Sequence, residues 1–392
     1  MNHLAPPRIL VLIDALGWTY VREQGFLQGL LRYRAPIRTV LGFSSAAIPT
    51  ILTGAPPQRH GHWNLLYYDP EHSPFRWLRR LDFLPERVLN NRLTRRSITE
   101  IGRRALGLGP LFDCSVNPRL LPWFNWVEKR NIFARGGITG APSFFDEIAR
   151  RDVSCRVYTY RDSSDEEIIQ KAEKDLASGE ADVLFLYLSE IDRFLHERCA
   201  SRQDWMATLA RYETRLLSLF EKALERDRRA TCAVFSDHGM TPVRRHIDLA
   251  GEIGRLGYRM PEDFLAVYDS TMARYWFFGD RARQAITRHL AALPVGRILT
   301  DQELQRLGVF FGDRRYGELI YLLDAGCLLS DSGFHNGGWK PAGMHGYHPD
   351  DPYSDGVFLT NREPSSPVRS VADVHAFLMD TTFGAIESVA NG

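Results

Sequence analysis

The sequence lacks a long apolar run and any close pair of cysteines. The first apolar run, residues 9–13, is five residues long and is followed at once by Asp14. A signal-peptide core needs about 7–15 apolar residues and a membrane span about 20. The five cysteines are scattered without a CxxC pair, so neither a disulfide framework nor a cysteine zinc site is predicted. We therefore expect free thiols and a cytoplasmic location.

The sequence also has little excess of charge of either sign. Forty-nine basic residues against 48 acidic residues give a formal net charge of +1, so global charge indicates no specific nucleic-acid partner. The 392 residues are 44% hydrophobic and 25% charged. This composition is typical of a globular chain and excludes disordered and collagen-like proteins.

Three short apolar runs rich in valine, isoleucine, leucine and phenylalanine each lead to acidic residues. Residues 9–13 precede Asp14, residues 183–188 precede Asp192, and residues 232–235 precede Asp237 and His238. Such runs are typical of strands buried on both faces of a parallel sheet. An amphipathic helix is predicted between them over residues 205–224. The alternation predicts an α/β fold whose site lies at the carboxyl ends of the strands.

Two stretches, about 65–145 and 246–340, have less regular patterning. We interpret the chain, residues 1–392, as one catalytic domain in which both stretches are insertions that form a cap over the site. Residues 75–104 contain nine arginines against three acidic residues. They could guide an anionic substrate or contact an anionic membrane surface, but a solvated pair of helices is the preferred interpretation.

Ser44 and Ser45 precede a helix-compatible apolar stretch that ends at Thr53 and Gly54. A nucleophile at a helix N-terminus gains from the positive end of the helix dipole. A serine there is also a common helix cap, so this segment alone leaves both roles open.

Aspartate and histidine recur in three further places. Asp192 and His196 are four residues apart and can share one helix face. Asp237 and His238 follow a buried run, where ionisable groups are costly unless paired or metal-bound. His345 stands in a glycine-flanked loop.

Taken in order, these residues resemble the alkaline phosphatase superfamily, and within it the type I phosphodiesterase/nucleotide pyrophosphatase branch. Ser44 stands nine residues before the Thr53-Gly54 pair, as the nucleophile does in that branch, and Ser45 is the alternative. Residues 57–61 resemble the Pro-x-x-His-Gly continuation of the branch. The likeness implies a three-layer α/β/α core with a mostly parallel central sheet.

The resemblance also implies two divalent metal ions. One set of ligands would be Asp192, His196 and His345, and the other would be Asp14, Asp237, His238 and the oxygen of Ser44. Such a mixed oxygen and nitrogen set suits Zn²⁺, with Mn²⁺ next. Asn64 is the candidate for holding a phosphate oxygen, although it falls one residue earlier than in the branch. His348 is a possible competitor of His345, but the Gly-x-His-Gly pattern favours His345.

The implied activity is that of a two-metal phosphodiesterase on a small phosphate ester or nucleotide-like substrate, through a phosphoseryl intermediate. Ser45, Ala46 and Ala47 supply no cation beside Ser44, which favours diesters over monoesters. Arg76, Arg79 or Arg80 could supply that cation from the first insertion. Phosphomonoesterase, phosphonate hydrolase, phosphomutase and phosphotransferase activities remain alternatives, as does an inactive metal-binding recognition protein. Oligomeric state is not predicted.

Overall fold

The computed structural model describes residues 6–109, 112–114, 116–159, 163–330, 332 and 340–390. The strands of these residues are β1 (Arg8–Ile13), β2 (Tyr33–Ile37), β3 (Leu66–Tyr68), β4 (Phe124–Trp126), β5 (Cys155–Tyr158), β6 (Val183–Leu188), β7 (Thr231–Phe235), β8 (Thr241–Pro242), β9 (Arg245–Ile247), β10 (Phe264–Asp269), β11 (Met272–Phe277), β12 (Gly296–Ile298), β13 (Leu319–Leu323), β14 (Cys327–Leu329), β15 (Gly343–Met344) and β16 (Gly356–Thr360).

The α-helices are α1 (Trp18–Val21), α2 (Ser44–Thr53), α3 (Pro57–His60), α4 (Glu86–Leu89), α5 (Arg92–Arg104), α6 (Phe144–Arg150), α7 (Asp165–Ser178), α8 (Glu190–Arg198), α9 (Arg202–Arg226), α10 (Leu249–Gly254), α11 (Asp280–Ala292), α12 (Asp301–Arg306) and α13 (Val371–Ala390). Two 3-10 helices cover Arg76–Leu81 and Leu121–Trp123.

The central sheet has six strands in the order β2-β16-β7-β1-β6-β5. Strand β1 pairs in parallel with both β6 and β7, and β16 runs antiparallel to the other five strands of this sheet. Ile13 is opposite Leu188, and Leu12 is opposite Phe235, so the three predicted strands end at the same edge. The mostly parallel α/β sheet predicted from the sequence is confirmed.

Helices cover both faces of this sheet because alternate residues of the buried strands point to opposite sides. Ile9 and Val11 pack with residues of α7 and α9, while Leu10 and Leu12 pack with residues of α2, α6 and α13. The result is the three-layer α/β/α arrangement that the resemblance implied.

Helix α9 extends over 25 residues and contains the predicted amphipathic segment. Trp205, Leu209, Tyr212, Leu216 and Phe220 are buried against the sheet, as their spacing predicts. Among the helices of the described residues, none has both the length and the apolar character required to span a bilayer.

The second insertion contains a four-stranded antiparallel sheet in the order β10-β11-β13-β12, which the sequence patterning did not predict. The first insertion packs on it: Leu66 and Trp126 share a hydrophobic cluster with Val267 and Trp276. The buried Arg274 guanidinium joins the two, since its Nη1 donates to the carbonyl oxygen of Leu66 at 2.9 Å. The two insertions are therefore in direct contact through buried side chains.

Candidate active site

Ser44 is the first residue of α2, at the edge where the parallel strands end. Its Oγ lies 3.0 Å from Nε2 of His238, and its side chain is half-buried. The helix ends at Gly54, which adopts a left-handed conformation with φ of 67° and closes the last turn without the strain of a Cβ. The predicted nucleophile therefore contacts a predicted metal ligand at the positive end of a helix dipole.

Ser45 has different surroundings. Its hydroxyl is buried and donates a hydrogen bond to the carbonyl oxygen of Trp63 at 2.7 Å. The indole Nε1 of Trp63 in turn donates to the carbonyl oxygen of Leu41 at 2.7 Å. Ser45 thus holds the 62–64 segment against α2, whereas the hydroxyl of Ser44 faces His238.

The first ligand group consists of Asp14, Asp237 and His238, which follow the neighbouring strands β1 and β7. Nε2 of His238 lies 3.2 Å from Oδ2 of Asp237 and 3.5 Å from Oδ1 of Asp14. Nδ1 of His238 lies 2.9 Å from the carbonyl oxygen of Gly239. Because a carbonyl oxygen can only accept, Nδ1 donates in that contact, and Nε2 is the ring nitrogen that faces the two carboxylates.

Each carboxylate of this group has one oxygen held by the protein. The Tyr187 hydroxyl donates to Oδ2 of Asp14, and the backbone N–H groups of Ala15 and His238 donate to Oδ1 of Asp237. The other oxygens, Oδ1 of Asp14 and Oδ2 of Asp237, are buried without a hydrogen-bond partner. Buried polar atoms normally have partners, so these two oxygens are positioned for a ligand.

The second group consists of Asp192 and His196 of α8 with His345 after β15. Oδ1 of Asp192 lies 3.3 Å from Nε2 of His196 and 3.6 Å from Nε2 of His345, and it has no hydrogen-bond donor. Nδ1 of His196 lies 2.8 Å from the carbonyl oxygen of Gly343, which assigns its N–H and directs Nε2 toward Asp192. The predicted four-residue spacing on one helix face is therefore observed.

The two groups are neighbours. The imidazole rings of His238 and His345 are stacked, with centroids 3.8 Å apart and an interplanar angle of 12°. Close stacking of two imidazoles is unfavourable when both rings are positively charged imidazolium ions. Burial and the adjacent imidazole of His238 lower the pKa of His345 well below its ordinary value, which keeps it neutral and able to bind a metal.

Three carboxylates, those of Asp14, Asp237 and Asp192, lie close together in the two ligand groups. Burial, and then the carboxylates of Asp237 and Asp192, raise the pKa of Asp14 well above its ordinary value. Burial also raises the pKa of Asp237. Burial acts in the same direction on Asp192, but His196 and His345 outweigh it and lower the pKa of that carboxyl. Positive charge at this place would keep all three ionised.

The residues present fit two divalent cations. Within each group the ligand atoms lie within 4.8 Å of one another. The unpartnered carboxylate oxygens and the directed imidazole nitrogens form a mixed donor set of the kind that zinc and manganese prefer. The structure brings together all the side chains predicted as ligands, and their metal binding remains a prediction.

Asn64 is buried in the loop between α3 and β3, two residues after His62. Its Nδ2 contacts Sδ of Met272 at 3.7 Å, and its Oδ1 has no hydrogen-bond partner. Met272 begins β11 of the second insertion, so that insertion reaches the vicinity of α2. The role of Asn64 in binding a phosphate oxygen remains a prediction.

The other nearby histidines are separated from the ligand groups. His60 is buried, and its Nε2 lies 3.0 Å from Oγ1 of Thr50. His348 pairs with Asp350, its Nδ1 3.3 Å from Oδ2, so the structure selects His345 for the second group as the motif predicts.

The arginines of the first insertion make other contacts. Nη1 of Arg76 donates to the carbonyl oxygen of Glu71 at 2.9 Å, and Arg79 lies over the ring of Trp123 at 5.2 Å. Arg80 is exposed. Among the described residues, none of these three arginines contacts Ser44 or the two ligand groups.

Sequence reasoning missed Tyr187 and Gly343. The hydroxyl of Tyr187 fixes Asp14, and the carbonyl of Gly343 fixes His196. Tyr187 stands next to the last residue of β6, beside the end of β1, which is a position that strand register could have indicated. Gly343 carries no local signal, because its contribution is a backbone oxygen.

Comparison with known families matches residues 8–347 to the model of the type I phosphodiesterase/nucleotide pyrophosphatase family. The chain belongs to this family. It is accordingly an enzyme of phosphoric ester hydrolysis. A search of curated proteins found no match.

Solved structures show the same fold at low identity. Murine ectonucleotide pyrophosphatase/phosphodiesterase 5 has 15% identity and a TM-score of 0.66, with 95% of this chain and 94% of that chain covered. An inactive variant of the murine protein in complex with AMP has 16% identity, a TM-score of 0.66, and coverage of 96% and 94%. Phosphonoacetate hydrolase from Sinorhizobium meliloti 1021, in complex with phosphonoacetate, has 14% identity, a TM-score of 0.64, and coverage of 96% and 95%.

Proposed function

We propose that this family member is a two-metal phosphodiesterase that acts through a phosphoseryl intermediate on Ser44. One observation carries the proposal: the hydroxyl of Ser44 lies at a helix N-terminus, 3.0 Å from His238, beside two groups of carboxylates and imidazoles. In these groups Oδ1 of Asp14, Oδ1 of Asp192 and Oδ2 of Asp237 have no hydrogen-bond partner. Inactive recognition proteins have no need for this combination of nucleophile and complete ligand sets.

Ser44 attacks phosphorus through Oγ in the proposed reaction. The Oγ–P bond forms while the bond from phosphorus to the leaving oxygen breaks; the hydroxyl proton passes to solvent and the leaving group departs as its alcohol after it takes up a proton. Water then hydrolyses the phosphoserine, which frees Ser44 and releases the phosphate monoester. The N-terminus of α2 positions the hydroxyl of Ser44 beside the first ligand group, and Tyr187 and Gly343 fix Asp14 and His196. Zinc, or manganese as the alternative, held by the two ligand groups would lower the pKa of the hydroxyl and stabilise charge on the phosphoryl oxygens.

A diester is the preferred substrate class, because a monoester brings a second negative charge that needs an additional cation or donors. The side chains next to Ser44 offer none: the Ser45 hydroxyl is engaged by Trp63, and Ala46 and Ala47 have no polar side-chain atoms. Asn64 is the candidate neutral donor to a non-bridging oxygen, for which its Nδ2 would have to exchange the contact with Sδ of Met272. The AMP complex of the murine protein supports a nucleotide-like substrate, whereas the preference for a diester rests on the surroundings of Ser44, because AMP is itself a monoester.

The test is cleavage of three p-nitrophenyl substrates by metal-depleted protein after zinc or manganese is restored. The substrates are p-nitrophenyl phosphate, bis-p-nitrophenyl phosphate and a p-nitrophenyl phosphonate ester. We expect the diester to have the highest kcat/KM. If protein that holds two ions per chain cleaves none of the three substrates, the result favours the inactive recognition protein. A tenfold preference for the monoester or the phosphonate would reassign the substrate class.

Metal content is measured on the same protein by elemental analysis. We expect two divalent ions per chain, with His345→Ala weakening one site and Asp237→Ala the other. His348→Ala is the matched control, because His348 lies three residues from His345 but pairs with Asp350. Equal loss of metal in the control variant would contradict the assignment of His345.

A further inference from the structure

We propose that a second pocket in this protein binds an oxyanion, a carboxylate or a phosphate-like group, apart from the two ligand groups. The pocket is a cavity of about 350 Å³ bounded by α3, the chain that follows β4, and the turn before β13. Its main polar lining residues are Arg59, His62, Trp126, Lys129, Arg130 and Arg315. None of these residues is among the predicted metal ligands.

The lining is cationic. Four of its side chains carry positive charge, and among the described residues that line it none is acidic. Arg59 and Lys129 have no ion pair within the part of the chain that the structure describes. Arg315 has an exposed partner, with its Nε 3.3 Å from Oδ2 of Asp313, and Nη1 of Arg130 donates to the carbonyl oxygen of Gly136 at 3.1 Å. An anion is the ligand that this charge distribution favours.

Two buried polar atoms of the lining have no hydrogen-bond partner. They are Nε1 of Trp126, a residue 3% exposed, and Nδ1 of His62, a residue 6% exposed. The indole N–H can only donate, and a buried donor without an acceptor is unfavourable. Burial lowers the pKa of His62 to about 4, so its neutral ring retains one N–H at pH 7. An oxyanion would accept from the surrounding cations, and it would accept from either ring nitrogen once that side chain turns toward the cavity.

The floor of the pocket is formed by backbone. A Cβ at Gly140 would lie 2.6 Å from the carbonyl carbon and oxygen of His60, so only glycine lets this loop approach α3 so closely. Peptide groups and cationic side chains therefore line the space together with Tyr67, Trp126 and Val127.

The pocket and the proposed active site are neighbours along the chain. His62 lines the pocket, the carbonyl of Trp63 accepts from Ser45, and Asn64 follows. A substrate with an anionic group beyond its phosphoryl group is thus one source of the oxyanion, and this source rests on the proposed function. A free inorganic anion is the other source.

Matched diesters test the substrate source. Ethyl p-nitrophenyl phosphate and carboxymethyl p-nitrophenyl phosphate share a leaving group and differ by one carboxylate. We expect the carboxymethyl ester to be preferred by the wild type, and the kcat/KM ratio of the two esters to fall about tenfold in Lys129→Ala, mainly through KM. Trp126→Phe, which keeps the ring and removes the N–H, should lower the ratio more modestly. Arg87→Ala removes one exposed positive charge from the first insertion and is the charge-matched control.

Calorimetric titration of the full-length protein with sulfate tests the free-anion source. Sulfate binding that is weakened about tenfold in Lys129→Ala but not in Arg87→Ala supports the pocket, even if neither ester is cleaved and the proposed function fails. Such sulfate binding without a carboxymethyl preference assigns the pocket to a free anion. If Lys129→Ala changes neither the ester ratio nor sulfate binding relative to Arg87→Ala, the proposal is overturned.

Discussion

Alanine substitutions at Ser44 and Ser45 should have opposite consequences, although the two residues are neighbours in the chain. Ser44 presents its hydroxyl to His238, whereas Ser45 is buried and donates to Trp63. Ser44→Ala should remove the nucleophile and reduce kcat by on the order of 10³-fold or more. Metal should remain bound, because the hydroxyl is one of several ligands.

Ser45→Ala should instead cost stability. It leaves the buried carbonyl of Trp63 without the donor that now lies at 2.7 Å, which corresponds to about 1–3 kcal/mol of unfolding free energy. In a chain of this size such a loss lowers Tm by roughly a few degrees. Its kcat should remain within about tenfold of the wild type, because the reacting hydroxyl and the ligand groups are unchanged.

The assay combines bis-p-nitrophenyl phosphate hydrolysis, elemental analysis and thermal denaturation on the same preparations. Wild type with the same metal content is the reference, and each variant serves as the control for the other. An inactive Ser45→Ala that retains wild-type Tm and metal, together with an active Ser44→Ala, would show that the nine-residue spacing identifies the wrong hydroxyl.

Three further results are expected. Addition of zinc to metal-depleted protein should raise Tm, because a free zinc concentration of one hundred times Kd stabilises the folded state by about 2.7 kcal/mol per site. Asp237→Ala should reduce this increase in Tm. An unchanged Tm of the wild type on addition of zinc would contradict the metal sites. Arg274→Met should lower the free energy of unfolding, measured by urea denaturation, by about 3–5 kcal/mol, because it leaves Asp269 buried without its partner. The double variant Arg274→Met/Asp269→Asn should recover part of that loss. A single variant as stable as the wild type would refute this reasoning. Burial lowers the pKa of His60 to about 3, so its contribution to stability is complete above the unfolded pKa of about 6.5 and is lost as pH falls toward 3. Between pH 6 and 4, His60→Asn should show a dependence of unfolding free energy on pH that is shallower than in the wild type by about 1.4 kcal/mol per pH unit, and parallel curves would exclude this role.

Local patterns were sufficient for the centre of the fold. The predicted run 183–188 coincides with β6, and the runs 9–13 and 232–235 each fall one residue short of the observed strand. These strands are buried on both faces, so the apolar run itself marks their position. The Asp192 and His196 pair was equally accessible, because helix periodicity alone places both side chains on one face.

Contacts between distant parts of the chain could not be predicted from local sequence patterns. Met272 meets Asn64 across 208 residues, and Tyr187 meets Asp14 across 173 residues. Such contacts depend on strand register and on how an insertion packs, which leave no period in the sequence. The four-stranded sheet of the second insertion escaped prediction for a related reason: β11 is buried at every position, but Arg274, which pairs with a distant part of the chain, interrupts its apolar run.

The protein balances its buried carboxylates in two different ways. Asp269 is paired with the fully buried guanidinium of Arg274, with Nε at 2.5 Å and Nη2 at 3.2 Å from its two oxygens. Asp14 and Asp237, in contrast, have no lysine or arginine partner among the described residues and face Nε2 of His238, whose Nδ1 donates to the carbonyl oxygen of Gly239. Burial raises the pKa of both carboxyl groups, so their ionised forms need a positive charge nearby. The ion pair with Arg274 therefore balances the charge of Asp269 within the protein itself. Where three strands end beside Ser44, the divalent metal ions of the proposed reaction would supply that positive charge.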